Sequence, residues 1–144
     1  MKKIINNEGS VLIEFIIVLP LLLILIIGII EFGLLTYNKH IIVNASREGA
    51  RAAIVRGEDY LVDVRIKEII RDYSNSRLLD FSGNTLADDD ITLTAGRTAL
   101  GFGDDFTVAI EYDYGFLVPW LFHLGTTTTI TARTLMKMEQ IPGS

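Results

Sequence analysis

The sequence predicts an α+β protein with one long N-terminal transmembrane helix that continues into a small domain. Three observations indicate this. Apolar residues crowd into Val11–Leu35, apolar residues recur at helical spacing over residues 62–73, and the last third alternates apolar and polar residues as strands do. The domain should therefore hold a second helix and a small antiparallel β-sheet, packed on the long helix.

The apolar segment is long enough to cross a membrane. Phe15–Ile30 reads FIIVLPLLLILIIGII, without a charge, and a hydrocarbon core about 30 Å thick needs about 20 such residues in a helix. A buried helix of a soluble protein would show an apolar stripe, whereas this one is apolar all round. Pro20 lies inside the segment. Either it is tolerated because packed neighbours satisfy the carbonyl that it frees, or it marks a kink in the helix.

Two carboxylates flank the segment. Glu14 and Glu31 lie about 25 Å apart at ~1.5 Å per helical residue, so each can sit near one edge of the hydrocarbon. Neither has to reach the centre, where an acidic residue costs about 2.5–3.5 kcal/mol. We interpret Glu31 as an interfacial residue that reaches water. For Glu14, the neighbouring residues indicate a more specific role.

The helix should continue to about Val55. Small residues at helical spacing predict close packing against a sheet or another helix; they are Ala45, Gly49, Ala52 and Ala53. Arg47 and Arg51 lie one turn apart. They form either a solvated charged face or a contact with another subunit.

Beyond the long helix, the elements are short. Gly57 is a plausible C-cap and Asp59 a plausible N-cap for the second helix. Its apolar stripe consists of Val62, Ile66, Ile69, Ile70 and Tyr73. Residues 75–90 are rich in turn formers. Strands are predicted at 91–95, 106–114 and 126–136, the second with clear alternation and the third rich in β-branched residues.

Between the two long strands lies a segment too apolar for an ordinary exposed loop, GFLVPWLF over 115–122. Three placements are open. The segment packs into the core, rests on the membrane interface, where Trp120 would be favoured, or contacts another subunit.

The composition argues against several classes of function. The net charge is -5, so the clustered basic residues that nucleic acid requires are not expected. The chain has no cysteine. His40 and His123 lack ligand spacing, and Asp88-Asp89-Asp90 lacks the spacing of a calcium loop. We predict no enzymatic activity, no cofactor and no metal.

The first residues, MKKIINNEG, do not form an ordinary secretory signal. Lys2 and Lys3 give a basic start, but no small-residue cleavage site follows the apolar run. Instead, Gly9-Ser10 is followed by Glu14-Phe15 and the long apolar segment. This pattern resembles the processing site of type IV prepilins.

A longer pattern narrows the resemblance. Pro20, GIIEFG at 28–33 and ASREGARAA at 45–53 are similar to the TadE family of minor pilins, or pseudopilins, of the tight-adherence (Flp) pilus system. The resemblance covers roughly 9–56, and the closing segment ITARTLM at 130–136 also resembles the family's last strand.

The resemblance implies a function and a set of partners. A prepilin peptidase would cleave between Gly9 and Ser10 on the cytoplasmic side, and Glu14 would meet the new Ser10 amine of a neighbouring subunit. Three parts result: a leader, 1–9; a membrane helix with its extension, 10–56; and an extracytoplasmic domain, 57–144. Other partners would be pilins and pseudopilins, the inner-membrane assembly platform and membrane lipid.

The sequence leaves two questions with alternatives, the orientation in the membrane and the function. Lys39, Arg47 and Arg51 outnumber Lys2 and Lys3, and by the positive-inside rule this opposes an N-terminus in the cytoplasm. The cleavage motif favours the opposite orientation, with the N-terminus in the cytoplasm and the domain outside, and we predict that orientation. The alternative function is a non-filament, single-pass membrane protein that carries a small extracytoplasmic binding domain.

Overall fold

The computed structural model describes residues 8–54, 63–94, 103–119 and 125–137. Its elements in chain order are α1 (Glu8–Ile54), α2 (Asp63–Asn75), β1 (Ile91–Thr94), β2 (Asp105–Gly115) and β3 (Thr127–Lys137). The predicted class, α+β with a long apolar N-terminal helix, is confirmed. The chain forms two compact units, residues 1–33 and 34–144, and α1 contributes to both.

In the first unit, α1 exposes apolar side chains on every side. Its most apolar stretch is entirely unburied, and by length and composition α1 is the one helix among the described residues able to cross a membrane. The helix runs without interruption through Pro20. One N-terminal apolar helix followed by a folded unit fits a single-pass membrane protein with a C-terminal domain.

The interpretation of Glu31 as a residue that reaches water is wrong in this structure. Its side chain is only 6% exposed, whereas Glu14 is exposed. Glu31 lies one helical turn before the half-buried Leu34 and Leu35 and two turns before the buried Asn38. It therefore begins the buried face of α1 rather than ending the exposed segment.

In the second unit, α1 packs through small side chains as predicted. Ala45 and Ala53 are fully buried, and Ala52 is half-buried. A Cβ added at Gly49 would overlap the side chain of Ile70 on α2. Glycine at 49 thus lets the two helices approach closely.

The stripe predicted for α2 is largely confirmed. Ile66 and Ile70 are buried, and Ile69 and Tyr73 are half-buried. Val62, the predicted cap Asp59 and the predicted C-cap Gly57 lie outside the described residues.

The three strands form an antiparallel sheet in the order β1-β2-β3. Ile91 pairs with Ile110, and the longer β2–β3 pairing runs from Asp105↔Lys137 to Gly115↔Thr127. The inward residues of β2 are all buried; they are Phe106, Val108, Ile110, Tyr112 and Tyr114. Together with α1 and α2 they form the core of this unit.

Residues 76–90 contain no helix or strand, and two asparagines hold them in place. The Asn38 amide donates to the Leu79 carbonyl (2.6 Å) and accepts from the Leu79 N–H (2.9 Å). Asn75 makes the same pair of bonds with Leu86, at 3.3 and 2.9 Å. Each side-chain amide therefore pairs with one backbone N–H and one backbone C=O that lie outside the β-sheet and have no strand partner.

Candidate processing and assembly segment

The four residues of the predicted processing motif lie in the first two turns of α1. Gly9, Ser10, Glu14 and Phe15 are all exposed, and a Cβ added at Gly9 would meet nothing within 4 Å. The first N–H groups of a helix have no partner within it. The Gly9–Ser10 bond is therefore exposed and lies in the first turn of the helix, where backbone N–H groups lack helical acceptors.

Glu14 lies in a shallow groove along one face of α1. The groove is lined by Val11, Glu14, Phe15 and Val18, which have the i, i+3, i+4, i+7 spacing of a single helical face. No bond from another described residue to the Glu14 carboxylate is seen. An ionised carboxylate among apolar side chains is costly to bury without a counter-charge, so this groove favours a cationic partner.

Arg47 and Arg51 are exposed on the second half of α1. The ion pairs within the described ranges join Arg65 to Glu68, Arg71 to Asp88 and Lys137 to Asp105. Neither arginine of α1 takes part in them. The structure thus presents both side chains to solvent, and their role in a subunit contact stays a prediction.

The apolar segment after β2 is described as far as Pro119. Phe116 packs against the core, with its ring edge-on to Tyr114 at 5.8 Å between centroids, whereas Leu117 is exposed. The segment therefore divides between the core and the surface. Trp120, predicted as a possible subunit contact, lies outside the described residues.

The acidic run at 88–90 forms a turn, as expected. Asp88 pairs with Arg71 at 3.1 Å, and the Asp90 carboxylate accepts the Ala87 N–H at 2.8 Å. Within the described residues, no three His, Asp or Glu side chains are grouped so that they could hold a metal ion. His123 and residues 101–102 lie outside the described ranges.

A polar cluster around Asp80 was not predicted from the sequence. The Asp80 carboxylate accepts from Tyr112 Oη (2.5 Å), Ser82 Oγ (2.5 Å) and the Ser82 N–H (2.6 Å). Burial opposes ionisation, but these bonds, with the Gly115 N–H, outweigh it and lower the pKa of Asp80. Burial, together with the Asp80 carboxylate, raises the pKa of Tyr112.

One sequence signal pointed toward this cluster. Tyr112 occupies an inward position of β2, and a buried tyrosine usually finds a partner for its hydroxyl. The partner lies 32 residues away, where spacing rules give no guidance. The cluster fixes residues 80–82 against the sheet and has the features of a structural contact.

Comparison with known proteins gives one family. Residues 9–51 match the family model described as TadE-like protein, which confirms the predicted family over that segment. The match includes Gly9, Ser10, Glu14 and Phe15 and extends to Arg51; the closing segment 130–136 lies outside it. No curated protein and no solved structure matches the chain.

Proposed function

We propose that this chain, whose residues 9–51 belong to the TadE-like family, is a minor pilin or pseudopilin that takes part in assembly of a Flp/Tad-type pilus. The match to this family supports the assignment of the chain as a membrane protein associated with a Tad pilus. The observation that carries the finer proposal is the coincidence, in α1, of the Gly9–Ser10 junction, Glu14 and a span-length apolar stretch. The folded unit of residues 34–144 favours a minor subunit, because the major pilin of the system resembled is little more than a helix.

The proposed location is the cytoplasmic membrane, with residues 1–9 inside the cell and the domain outside. The count of basic residues, which is higher beyond the span than before it, is the one argument against this orientation. Lys39 donates to the Thr131 carbonyl, and Arg47 and Arg51 lie on the helix that packs in the domain. These charges fold with the domain instead of forming a free basic loop, so they weigh less in the orientation rule.

In the proposed mechanism, a prepilin peptidase removes residues 1–9. Glycine at position 9 lets the enzyme approach the backbone closely and lets the chain leave the helical conformation. Cleavage creates an amine on Ser10, and the groove that holds Glu14 offers its counter-charge on a neighbouring subunit. Because an unpaired charge in low dielectric is expensive, this pair would set the register of the entering subunit.

The first test changes the cleavage site. Gly9→Leu should leave a precursor that retains residues 1–9, whereas wild type should begin at Ser10. The matched control is Gly33→Leu, since a Cβ added at either position meets nothing within 4 Å. Intact-mass spectrometry of membrane extracts reads both outcomes. A wild-type chain that keeps its leader would refute the proposal and favour a non-filament single-pass protein.

The second test changes the assembly carboxylate. Glu14→Gln should be inserted and cleaved normally yet fail in assembly, because the Ser10 amine of a neighbour loses its counter-charge. Breaking a buried pair costs about 3–5 kcal/mol, which corresponds to two or more orders of magnitude in an assembly equilibrium. Pilus number and co-sedimentation with sheared pili give the readout, with the wild-type copy deleted.

The control for this second test is Glu48→Gln, which removes an exposed carboxylate from the same helix and should assemble as wild type does. Equal pilus yield from Glu14→Gln and wild type, at equal abundance in the membrane, would leave Glu14 as a processing signal at most.

A further inference from the structure

Strand β3 lies at one side of the sheet, and hydrogen bonds show which of its backbone groups face away from β2. The Phe116 N–H donates to the Thr126 carbonyl (3.2 Å), in the same register as the β2–β3 pairing. In an antiparallel pair, residues that exchange hydrogen bonds alternate with residues that do not. The even-numbered residues of β3 therefore bond to β2, and the N–H and C=O groups of the odd-numbered residues point away from it.

These odd-numbered residues form a long edge, which we call the open edge of β3. All of them are exposed; they are Thr127, Thr129, Thr131, Arg133, Leu135 and Lys137. Among the described residues, one hydrogen bond reaches their outward backbone groups, from Lys39 Nζ to the Thr131 carbonyl. Folds often protect such an edge with a bulge, a proline or a short strand, whereas β3 has 11 residues and neither a proline nor a bulge. The open edge can therefore accept a further strand.

The strand already paired with β3 shows which side chains a second neighbour would need. β2 turns apolar residues toward the core, and its exposed positions include Asp105, Glu111 and Asp113. Asp105 Oδ1 lies 3.8 Å from Lys137 Nζ, and the Asp113 carboxylate accepts from Thr129 Oγ1 at 2.7 Å. Because side chains project above and below a sheet, a strand on the other side of β3 would meet the same two rows of β3 side chains. It should therefore alternate apolar and acidic residues.

Charge and burial at the open edge favour a partner of this kind. Arg133, Lys137 and Lys39 are exposed there, and β3 itself contains no acidic residue, although the net charge of the chain is -5. The inward residues of β2 are at most 1% exposed, whereas three inward residues of β3 are half-buried, Thr128, Thr134 and Met136. A second neighbour would cover them, and burial of their apolar area is favourable.

We propose that the open edge of β3 binds an extended segment of another protein chain, which adds to the sheet as a further strand. The segment carries apolar residues on the side that faces the core and acidic residues on the outer side, near Arg133 and Lys137. Backbone hydrogen bonds supply the affinity in this mode of recognition, and alternate side chains supply the specificity. The Thr131 carbonyl, which Lys39 binds in the chain alone, then accepts from the backbone of the incoming strand.

The test uses the full chain, isotope-labelled and placed in nanodiscs, with a peptide of residues 105–115 as the probe. This peptide has the alternation of β2. The control peptide carries Asp105→Lys, Glu111→Lys and Asp113→Lys, which keeps the apolar residues and reverses the charge. Hydrogen–deuterium exchange of each β3 N–H is followed by NMR, with and without peptide.

In the chain alone, we expect slow exchange at the even-numbered positions of β3 and fast exchange at the odd-numbered ones. The probe peptide should slow exchange at positions 129, 131, 133 and 135 by about tenfold or more. Arg133→Gln should weaken its binding about two- to fivefold. Arg65→Gln, which changes an exposed arginine of α2, should leave binding unchanged.

Three results would overturn the proposal. Slow exchange of the odd-numbered N–H groups before peptide is added would show that the edge is already covered. Peptide binding that leaves these N–H groups unprotected would show another mode of contact, and failure of the peptide to bind would show that the edge accepts no such strand. Equal binding of the control peptide would overturn the acidic character of the partner. None of these results affects the proposed function, since the open edge involves neither Gly9 nor Glu14.

Discussion

The two halves of α1 form one continuous helix but differ in composition and in how far the chain buries them. Residues 8–33 are almost entirely apolar and exposed. Residues 34–54 are more polar, and even their polar residues Asn38 and Ser46 are fully buried. The difference shows that hydrophobic content and burial within the fold are separate properties of a helix. Among the described residues of the first half, Glu31 alone is buried, whereas the second half is covered by its own domain.

The buried polar residues of the second half are stabilised by specific partners. Asn38 bonds to the Leu79 backbone, and Ser46 lies within hydrogen-bond distance of both the Val43 carbonyl (2.8 Å) and Thr134 Oγ1 (2.6 Å). Burying a polar group without a partner would cost about 1–3 kcal/mol. These contacts therefore fix one docking geometry for the helix, which apolar packing alone would not do.

The largest expected effect comes from removing the second half of α1. Residues 34–144 should fold cooperatively on their own, whereas residues 57–144 should be soluble but without a sharp transition. The shorter chain loses core side chains from α1, among them Ile42, Ala45, Ala50 and Ala53. Truncating one buried Ile alone typically costs about 2–5 kcal/mol. Thermal melting followed by circular dichroism gives the comparison.

Equal transition temperatures and equal cooperativity for the two fragments would show that the helix does not belong to the folded core. The distinction between the two halves of α1 would then be wrong.

A smaller effect distinguishes two glycines of the same helix. Gly49→Val should destabilise the domain by about 1–3 kcal/mol, because the added side chain overpacks against Ile70. Gly33→Val is the control, since its Cβ meets nothing within 4 Å. Urea unfolding of the detergent-solubilised chain measures both. Matching losses at 33 and 49 would mean that helix propensity, not packing against α2, determines the result.

Much of the fold could be predicted because its signals are local. The alternation in β2 predicted its buried face, and the small residues around Gly49 predicted close packing of α1. The proposed processing motif is likewise a short pattern, from Gly9 to Phe15, within the segment that matches the TadE-like family. In each case the residues that carry the information lie within a few turns or a single strand.

The remaining features depend on partners distant in sequence. Asn38 meets Leu79 across 41 residues, and Asp80 meets Tyr112 across 32, so periodicity reveals neither pair. Glu31 was misjudged for a related reason. Its hydrophobic neighbours suggested the edge of a span, whereas its spacing to Asn38 placed it on the helix face that is buried.

The smallest predicted effect concerns Asp80, which attaches residues 80–82 to the sheet, next to Leu79, which Asn38 attaches to α1. Because hydrogen bonds lower the pKa of Asp80 below its ordinary value of 3.8, its ionised form stabilises the folded state. That stabilisation should be fully present above about pH 4 and should be lost as the pH falls from there through the lowered folded-state pKa. Tyr112 behaves oppositely, since its raised pKa makes its contribution disappear as the pH rises above 10.

Asp80→Asn should therefore cost about 1 kcal/mol near neutral pH, and its deficit relative to wild type should shrink on acidification. Asp89→Asn, which alters an exposed carboxylate in a turn, should leave stability and its acid dependence unchanged. Urea midpoints of residues 34–144, taken from neutral pH to below pH 3.8, measure the difference. A deficit that stays constant through this range would show that the hydrogen bonds of the Asp80 side chain, and not its charge, stabilise this segment.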